Sequence, residues 1–144
     1  MDNSRYSVFF VPREQTDLAR FGNAILQRRA DASVFSDPGI VFSDTLRWAE
    51  LIATPAHYGF HATLKAPFSL AESTTVADLF EAVTQLSSTL KPCPMHTLKP
   101  ALLGKFMALQ LQDQEEHAQV AELTNECVQA LEHLRAPLSE EDGS

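Results

Sequence analysis

A histidine and a threonine two positions apart, His61 and Thr63, are the residues of this sequence best suited to chemistry. If their segment is a β-strand, both side chains project from the same face, roughly 6 to 7 Å apart along the backbone. An imidazole can give or take a proton near neutral pH, and a threonine hydroxyl can donate a hydrogen bond to a phosphate oxygen. The pair therefore predicts a site for one small anion. The simpler alternative is that His61 is an ordinary polar residue on a solvated strand face.

The segment around this pair has the alternation of a strand over residues 58–68, YGFHATLKAPF. One face carries apolar side chains, and the other carries His61, Thr63 and Lys65. Pro67 should end the ladder because proline has no N–H to donate. The predicted strand thus holds the two polar side chains on one face.

Hydrophobic spacing along the rest of the chain predicts the elements that must support this strand. We expect a buried strand before Pro12, a loop, three amphipathic helices and one short helix, and two extended pieces on either side of Gly104 that form a hairpin or one bent strand. The ranges are strand 6–11, helix 16–29, loop 31–40, short helix 44–53, helix 75–90, strands 97–103 and 105–111, and helix 115–134. This order predicts an α+β fold with helices packed on one side of a mainly antiparallel sheet. Residues 1–135 should form a single lobe, with a polar tail at residues 136–144 that could begin a linker.

Composition limits the classes of function. The chain has 144 residues, 44% of them apolar, and a formal net charge of -8, which suits one ordinary domain and disfavours a long nucleic acid as partner. Its apolar runs are too short to span a membrane, and no apolar leader precedes the first strand, so we expect a cytoplasmic protein. Cys93 and Cys127 show no paired cysteine or histidine spacing, so neither a disulfide framework, a metal nor another cofactor is expected. A small anionic substrate stays compatible with this composition.

Residues 58–68 resemble the first His-x-Thr-Leu strand of the two-histidine (2H) phosphoesterase superfamily. The similarity extends to the opening strand and to residues 102–109 and 134–138, and it is greatest to a branch of bacterial proteins encoded with phosphonate-degradation genes. This chain resembles the amino-terminal lobe of those proteins. A bare His-x-Thr would occur by chance in many sequences, whereas the longer segment around His61 is fairly specific.

The resemblance implies a bilobal fold in which each lobe supplies one His-x-Thr strand to a shared cleft. Members cleave or make phosphodiester bonds, often those of 2',3'-cyclic or other cyclic phosphates, without a metal. One histidine acts as general base, the other as general acid, and hydroxyl residues hold the phosphoryl oxygens. By this resemblance His61 transfers a proton and Thr63 binds the phosphate. We also expect Lys65 and Tyr58, which border the pair, to contact the substrate; the alternative for Lys65 is a solvated surface charge.

The sequence departs from this pattern because no second His-x-Thr or His-x-Ser follows His61. His96 is followed directly by Thr97, so those two side chains would point to opposite faces of a strand. The resemblance places the second motif beyond Ser144. We therefore expect the isolated chain to be nearly inactive, with an uncovered face that favours association between copies.

These observations lead to one main hypothesis and two alternatives. The main hypothesis is the amino-terminal lobe of a metal-independent phosphoesterase that acts on a small phosphate ester, in phosphonate metabolism by resemblance. The first alternative is a catalytically silent α+β module in which the His61 face binds a phosphate ligand or a protein. The second is an RNA-end processing enzyme of the same superfamily, which would need a basic groove that the net charge of -8 disfavours.

Overall fold

The computed structural model describes residues 4–138 of the chain. Over this range the elements follow the order β1 (Tyr6–Phe10), α1 (Asp17–Leu26), α2 (Thr45–Tyr58), β2 (Ala62–Phe68), α3 (Val76–Thr89), β3 (Leu98–Leu103), β4 (Phe106–Leu111) and α4 (Gln114–Leu131). A 3-10 turn, Glu132–Leu134, follows α4 directly. No helix within the described range is long and apolar enough to cross a membrane.

The strands of this range form two separate sheets. β1 pairs with β2, and β3 pairs with β4 in an antiparallel hairpin whose register sets Leu103 opposite Phe106. The predicted α+β class is confirmed, with four helices and two small antiparallel sheets in residues 4–138. Of the two arrangements expected around Gly104, a hairpin or one bent strand, the structure has the hairpin, with Gly104 in the left-handed region at φ 62°. We expected a single sheet, but the described strands form two separate pairs, β1 with β2 and β3 with β4.

Side-chain caps fix where each helix begins. Thr16, Asp44, Thr75 and Asp113 precede the four helices, and each accepts a hydrogen bond from an N–H of the first turn. Such caps satisfy backbone donors that have no partner inside the helix. At Thr75 the bond is reciprocal, because the Asp78 side chain accepts from the Thr75 backbone N–H in a capping box. The predicted starts of these helices are confirmed to within one or two residues.

Two strand predictions were wrong in detail. Phe9 and Phe10 of β1 are 40% and 39% exposed, so the strand is not the buried one that its apolar sequence suggested. The strand expected from residue 58 begins at Ala62, because α2 continues to Tyr58. The helix passes through Pro55, whose carbonyl still accepts a hydrogen bond from Gly59 N–H at 3.2 Å. A proline inside the helix therefore does not end it, contrary to the short helix 44–53 that we expected.

The described residues divide into two compact units. The larger unit comprises residues 4–8 and 64–138, and its buried core is Phe68, Leu79, Leu131 and Leu134. The smaller unit is Phe9–Thr63, where α1 contacts α2. The expected lobe boundary at residue 135 stays a prediction.

A tryptophan joins the two helices of the smaller unit. Trp48 of α2 donates its indole N–H to the carbonyl oxygen of Ile25 in α1 at 2.8 Å. Its ring also stacks on Phe42, with centroids 4.8 Å apart. A largely buried indole packs against its neighbours, and the hydrogen bond of its single N–H donor fixes the orientation of the ring. Trp48 therefore packs α2 against α1.

In the larger unit, a buried lysine binds the strand β2 to the end of α4. Lys65 is 5% exposed, and its ammonium lies 2.9 Å from Glu132 Oε2, 3.4 Å from the Val128 carbonyl oxygen and 4.9 Å from the centre of the Phe68 ring. Glu132 also accepts hydrogen bonds from Arg135. An ammonium this well buried requires such partners, because removing a charge from water is costly.

The Glu132 carboxylate gives the first testable prediction. Hydrogen bonds from Arg135 and then from Lys65 lower its pKa from the usual 4.5 to about 2. Because the folded-state pKa is depressed, the stabilisation is complete above about pH 4.5 and is lost as the pH falls toward 2. We expect Glu132→Gln to be less stable than the wild type near neutral pH and to lose less stability on acidification.

Thermal unfolding followed by circular dichroism across this pH range measures the difference. Glu50→Gln is the matched control, because Glu50 pairs with Arg47 at 3.2 Å while both side chains are largely exposed, and such a pair contributes little. Parallel stability curves for the wild type and Glu132→Gln would contradict the prediction.

Candidate functional site

His61 lies in the short connection between α2 and β2, one residue before the strand begins. Two contacts hold its imidazole. Nδ1 lies 2.8 Å from the carbonyl oxygen of Gly59, and the ring stacks on Phe9 with centroids 3.9 Å apart and an interplanar angle of 26°. Nε2 makes no hydrogen bond with any residue that the structure describes. The ring is thus fixed at one nitrogen and open at the other.

The other predicted site residues differ in their surroundings. Thr63 is the second residue of β2, is exposed, and makes no hydrogen bond through its hydroxyl within residues 4–138. Tyr58 is the last residue of α2, is 63% exposed, and meets the ring of His57 edge to face. Both belong to the same compact unit as His61. Their contacts with a substrate stay predictions.

Lys65 is the member of the predicted site whose surroundings differ most from the expectation. The alternation that set it on an open face with Thr63 is not found, because Lys65 is buried while Thr63 is exposed. Its ammonium is already bound by Glu132. A contact between Lys65 and a phosphate stays a prediction, and the structure gives this side chain a stabilising role as well.

Arg28, which follows α1 in the sequence, binds the last turn of α2, where the connection that carries His61 begins. Arg28 Nη1 donates to the carbonyl oxygens of Ala56 at 2.7 Å and His57 at 2.5 Å, and its Nε donates to the Arg29 carbonyl oxygen at 3.0 Å. Carbonyl groups of the last turn have no partner inside a helix, and a cation there also complements the helix dipole. Arg28 therefore caps the carboxyl end of α2 although it does not belong to that helix.

Gly59 turns the chain away from this cap. Its φ of 79° lies in the left-handed region, which a residue with a Cβ rarely adopts. A Cβ at this position would make only an ordinary contact, 3.7 Å from Arg28 Cζ, so the backbone angle is what favours glycine here. The turn directs the Gly59 carbonyl oxygen to within reach of His61 Nδ1.

Phe60 anchors the same connection to α1. Gly22 of α1 is buried, and a Cβ built there would lie only 2.1 Å from Phe60 Cδ1. The phenyl ring therefore lies directly against the helix backbone, at a position where only glycine leaves room. Arg28, Gly22 and Phe9 were not recognised from the sequence, because a cap, a close approach and a ring stack join positions far apart in the chain.

A second histidine, His96, has a structural partner in the larger unit. Its backbone N–H donates to both carboxylate oxygens of Glu116, at 3.1 and 3.2 Å, and its Nδ1 contacts the same carboxylate. Glu116 is buried in the first turn of α4. Within residues 4–138 no group of three or more histidine, cysteine, aspartate or glutamate side chains could hold a metal ion.

The close packing of Phe60 on Gly22 predicts the effect of adding one methyl group. Gly22→Ala should destabilise the protein by about 1 to 3 kcal/mol, because the overlap forces the Phe60 ring and the connection that carries His61 to move. Gly22→Ala combined with Phe60→Leu should recover part of that loss. The measurement is the free energy of unfolding in urea, with Gly39→Ala as a control at an exposed loop glycine whose added Cβ would meet only Asp37 Oδ1 at 3.2 Å. Equal losses for the two single variants would contradict this packing.

The Arg28 cap predicts that lysine cannot replace the guanidinium. Arg28→Lys keeps the charge but loses the planar group that binds the two α2 carbonyl oxygens through Nη1 while its Nε binds the Arg29 carbonyl oxygen, so we expect a loss of about 1 to 3 kcal/mol. Hydrogen exchange of the last-turn amides of α2, among them that of Gly59, should accelerate together with this loss. Arg47→Lys, at a largely exposed pair in the same helix, should leave both measurements near wild type. Unchanged exchange at Gly59 in Arg28→Lys would refute the capping role.

Known proteins are similar to this chain over most of its length. Two curated relatives are named ribose 1,5-bisphosphate phosphokinase PhnN. The protein of Laribacter hongkongensis (strain HLHK9) is 35% identical over 135 residues, which are 92% of this chain and 31% of the relative. The protein of Janthinobacterium sp. (strain Marseille) is 30% identical over 138 residues, 95% of this chain and 30% of the relative. The chain thus spans about a third of the length of these relatives, and no solved structure gives a significant match.

Residues 63–144 match a protein family described as "Protein of unknown function (DUF1045)". The match begins at Thr63, the second residue of β2, and continues through the rest of the chain. Since it covers more than half of the sequence, the chain belongs to the DUF1045 family.

Proposed function

We propose that this chain forms one lobe of a phosphoesterase that hydrolyses a small cyclic phosphate ester in phosphonate metabolism, with His61 as one of two proton-transfer histidines. The observation that carries the proposal is the placement of the imidazole. Its Nδ1 is bonded to the Gly59 carbonyl, its face is covered by Phe9, and its Nε2 is left without a hydrogen bond among the described residues. A solvated surface histidine needs none of this support.

The chemistry requires two positioned proton-transfer groups. As a phosphate ring opens, a base takes a proton from the attacking water while the P–O bond to that water forms. An acid gives a proton to the leaving oxygen as the ring P–O bond breaks. His61 supplies one of these groups, and the exposed Thr63 hydroxyl offers a donor for a phosphoryl oxygen. The second histidine must come from outside this His-x-Thr segment.

The names of the relatives support a ribose phosphate as the first substrate class to test. Both are named for ribose 1,5-bisphosphate, which is a phosphate ester of a sugar. The chain has no glycine-rich loop followed by Lys-Ser or Lys-Thr, the motif with which many kinases bind phosphate. We therefore propose that this chain catalyses a reaction of a phosphate ester other than phosphate transfer from a nucleotide. In the relatives the corresponding residues are part of a longer polypeptide.

Hydrolysis of a panel of cyclic phosphates tests the proposal. The panel contains a ribose cyclic phosphate, a 2',3'-cyclic nucleotide and a short RNA that ends in a 2',3'-cyclic phosphate. It is given to this chain, to a version extended to the length of the relatives, and to extended His61→Ala and His96→Ala variants. We expect turnover by the extended wild type and by His96→Ala, whose histidine contacts Glu116 instead. His61→Ala should be slower by about 10²- to 10⁴-fold, the usual contribution of a positioned acid or base.

The pH profile and the negative outcome sharpen this test. Two histidines in opposite protonation states should give a bell-shaped dependence of kcat/KM on pH. Saturable phosphate binding without turnover, in both the short and extended chains, would replace the enzyme with the catalytically silent binding module. Turnover of the RNA end alone would favour the RNA-processing alternative.

A further inference from the structure

We infer that Phe9 and the Gly59 carbonyl are positioning groups that hold neutral His61 as its Nδ1–H tautomer and present Nε2 as the proton-transfer atom. The inference rests on the proposed function only for the use made of that atom. The tautomer itself follows from the contacts of the ring and can be measured without any activity.

The carbonyl contact decides which nitrogen carries the proton. A carbonyl oxygen has no hydrogen to donate, so the 2.8 Å contact between His61 Nδ1 and Gly59 O is a hydrogen bond only when Nδ1 is the donor. Neutral imidazole has a single N–H, and Nε2 then carries the lone pair. With the proton on Nε2, the Nδ1 lone pair would face the carbonyl lone pairs at the same distance, which is repulsive.

Phe9 fixes the plane of the same ring. The two rings lie 3.9 Å apart at 26°, so the imidazole cannot turn edge-on without separating from the phenyl face. Stacking alone allows two orientations that differ by a half-turn about χ2, because both keep the ring in one plane. The hydrogen bond to Gly59 selects the orientation that places Nδ1 at the carbonyl. The two contacts together therefore define where Nε2 lies.

The same arrangement serves either proton-transfer role. As a base, neutral His61 receives the proton of water at Nε2 and becomes an imidazolium with an N–H at both nitrogens. As an acid, the imidazolium gives the Nε2 proton to the leaving oxygen and returns to the Nδ1–H tautomer. The bond to Gly59 persists in both states and strengthens when the ring is charged.

Nitrogen-15 NMR of the imidazoles measures the tautomer directly in the 144-residue chain. Long-range proton–nitrogen spectra distinguish an N–H nitrogen from one with a lone pair, and His61→Ala assigns the signals of this ring. For the neutral ring, we expect the population of the Nδ1–H tautomer to exceed that of the Nε2–H tautomer by about tenfold, because only the first tautomer keeps the hydrogen bond to Gly59. A predominance of Nε2–H, or an even mixture, would overturn the inference.

Variants of the stacking residue test the role of Phe9. Phe9→Leu keeps an apolar side chain without the aromatic face, and we expect the tautomer ratio to fall by about two- to tenfold. Phe9→Tyr should restore the ratio because it keeps the ring. Phe10→Leu is the matched control, since Phe10 follows in the same strand at 39% exposure and has no ring contact with His61. A fall of the same size in Phe10→Leu would reduce the effect to general loosening and overturn the role of Phe9.

Activity separates this inference from the proposed function. An Nδ1–H tautomer in a protein whose extended form hydrolyses no cyclic phosphate would sink the proposed function and leave the positioning intact. In an active extended enzyme, Phe9→Leu should lower kcat more than it raises KM, because the substrate still binds while Nε2 is less often in place. Equal kcat for Phe9→Leu and the wild type would overturn the catalytic use of the stack.

Discussion

The capping of α2 by Arg28 is the interaction on which the placement of His61 depends. The guanidinium satisfies the carbonyl oxygens of Ala56 and His57, so the helix can end there without leaving these acceptors unpaired. The chain then leaves through Gly59 at a positive φ, and the carbonyl of that residue faces the His61 ring. If α2 ended elsewhere, this carbonyl would point elsewhere as well. The contact between the Arg28 guanidinium and two backbone carbonyl oxygens of α2 thus fixes the orientation of the His61 side chain a few residues later.

Independent contacts reinforce this placement from two other elements. Phe60 lies against the backbone of α1 at Gly22, and Phe9 of β1 covers the face of the His61 ring. Each contact limits a different freedom, since one fixes the position of the connection and the other the plane of the ring. All of these residues belong to the smaller unit. Proton transfer is sensitive to small errors of geometry, so a histidine supported from several sides is better suited to it than one on a free strand face.

Local signals predicted much of the fold but little of the support around His61. Caps such as Thr16 and Thr75 act within one turn of their helix, and Gly104 acts within one hairpin, so the sequence identified the helices and the β3–β4 pair. Alternation along residues 58–68 failed where tertiary contacts override it. The helix α2 extends to Tyr58, and Lys65 is buried because Glu132, 67 positions later, neutralises it. No periodic pattern records a partner at that separation. His61 was predicted as a site residue from its type and neighbours, and that role stays a prediction, whereas its contacts with Phe9 and the cap by Arg28 required the three-dimensional structure.

Charge bears on which phosphate the proposed site would accept. The chain carries a formal net charge of -8, and the ammonium of Lys65 is paired with Glu132. A cyclic phosphodiester has one negative charge, whereas the monoester formed when the ring opens carries about -1.5 to -2 at neutral pH. An acidic protein repels the second form more strongly than the first. A ring-opening reaction would therefore turn the better-tolerated anion into the worse-tolerated one, which favours release of the product. A site that had to hold a monoester as its substrate would face the repulsion at the binding step, where it would raise KM.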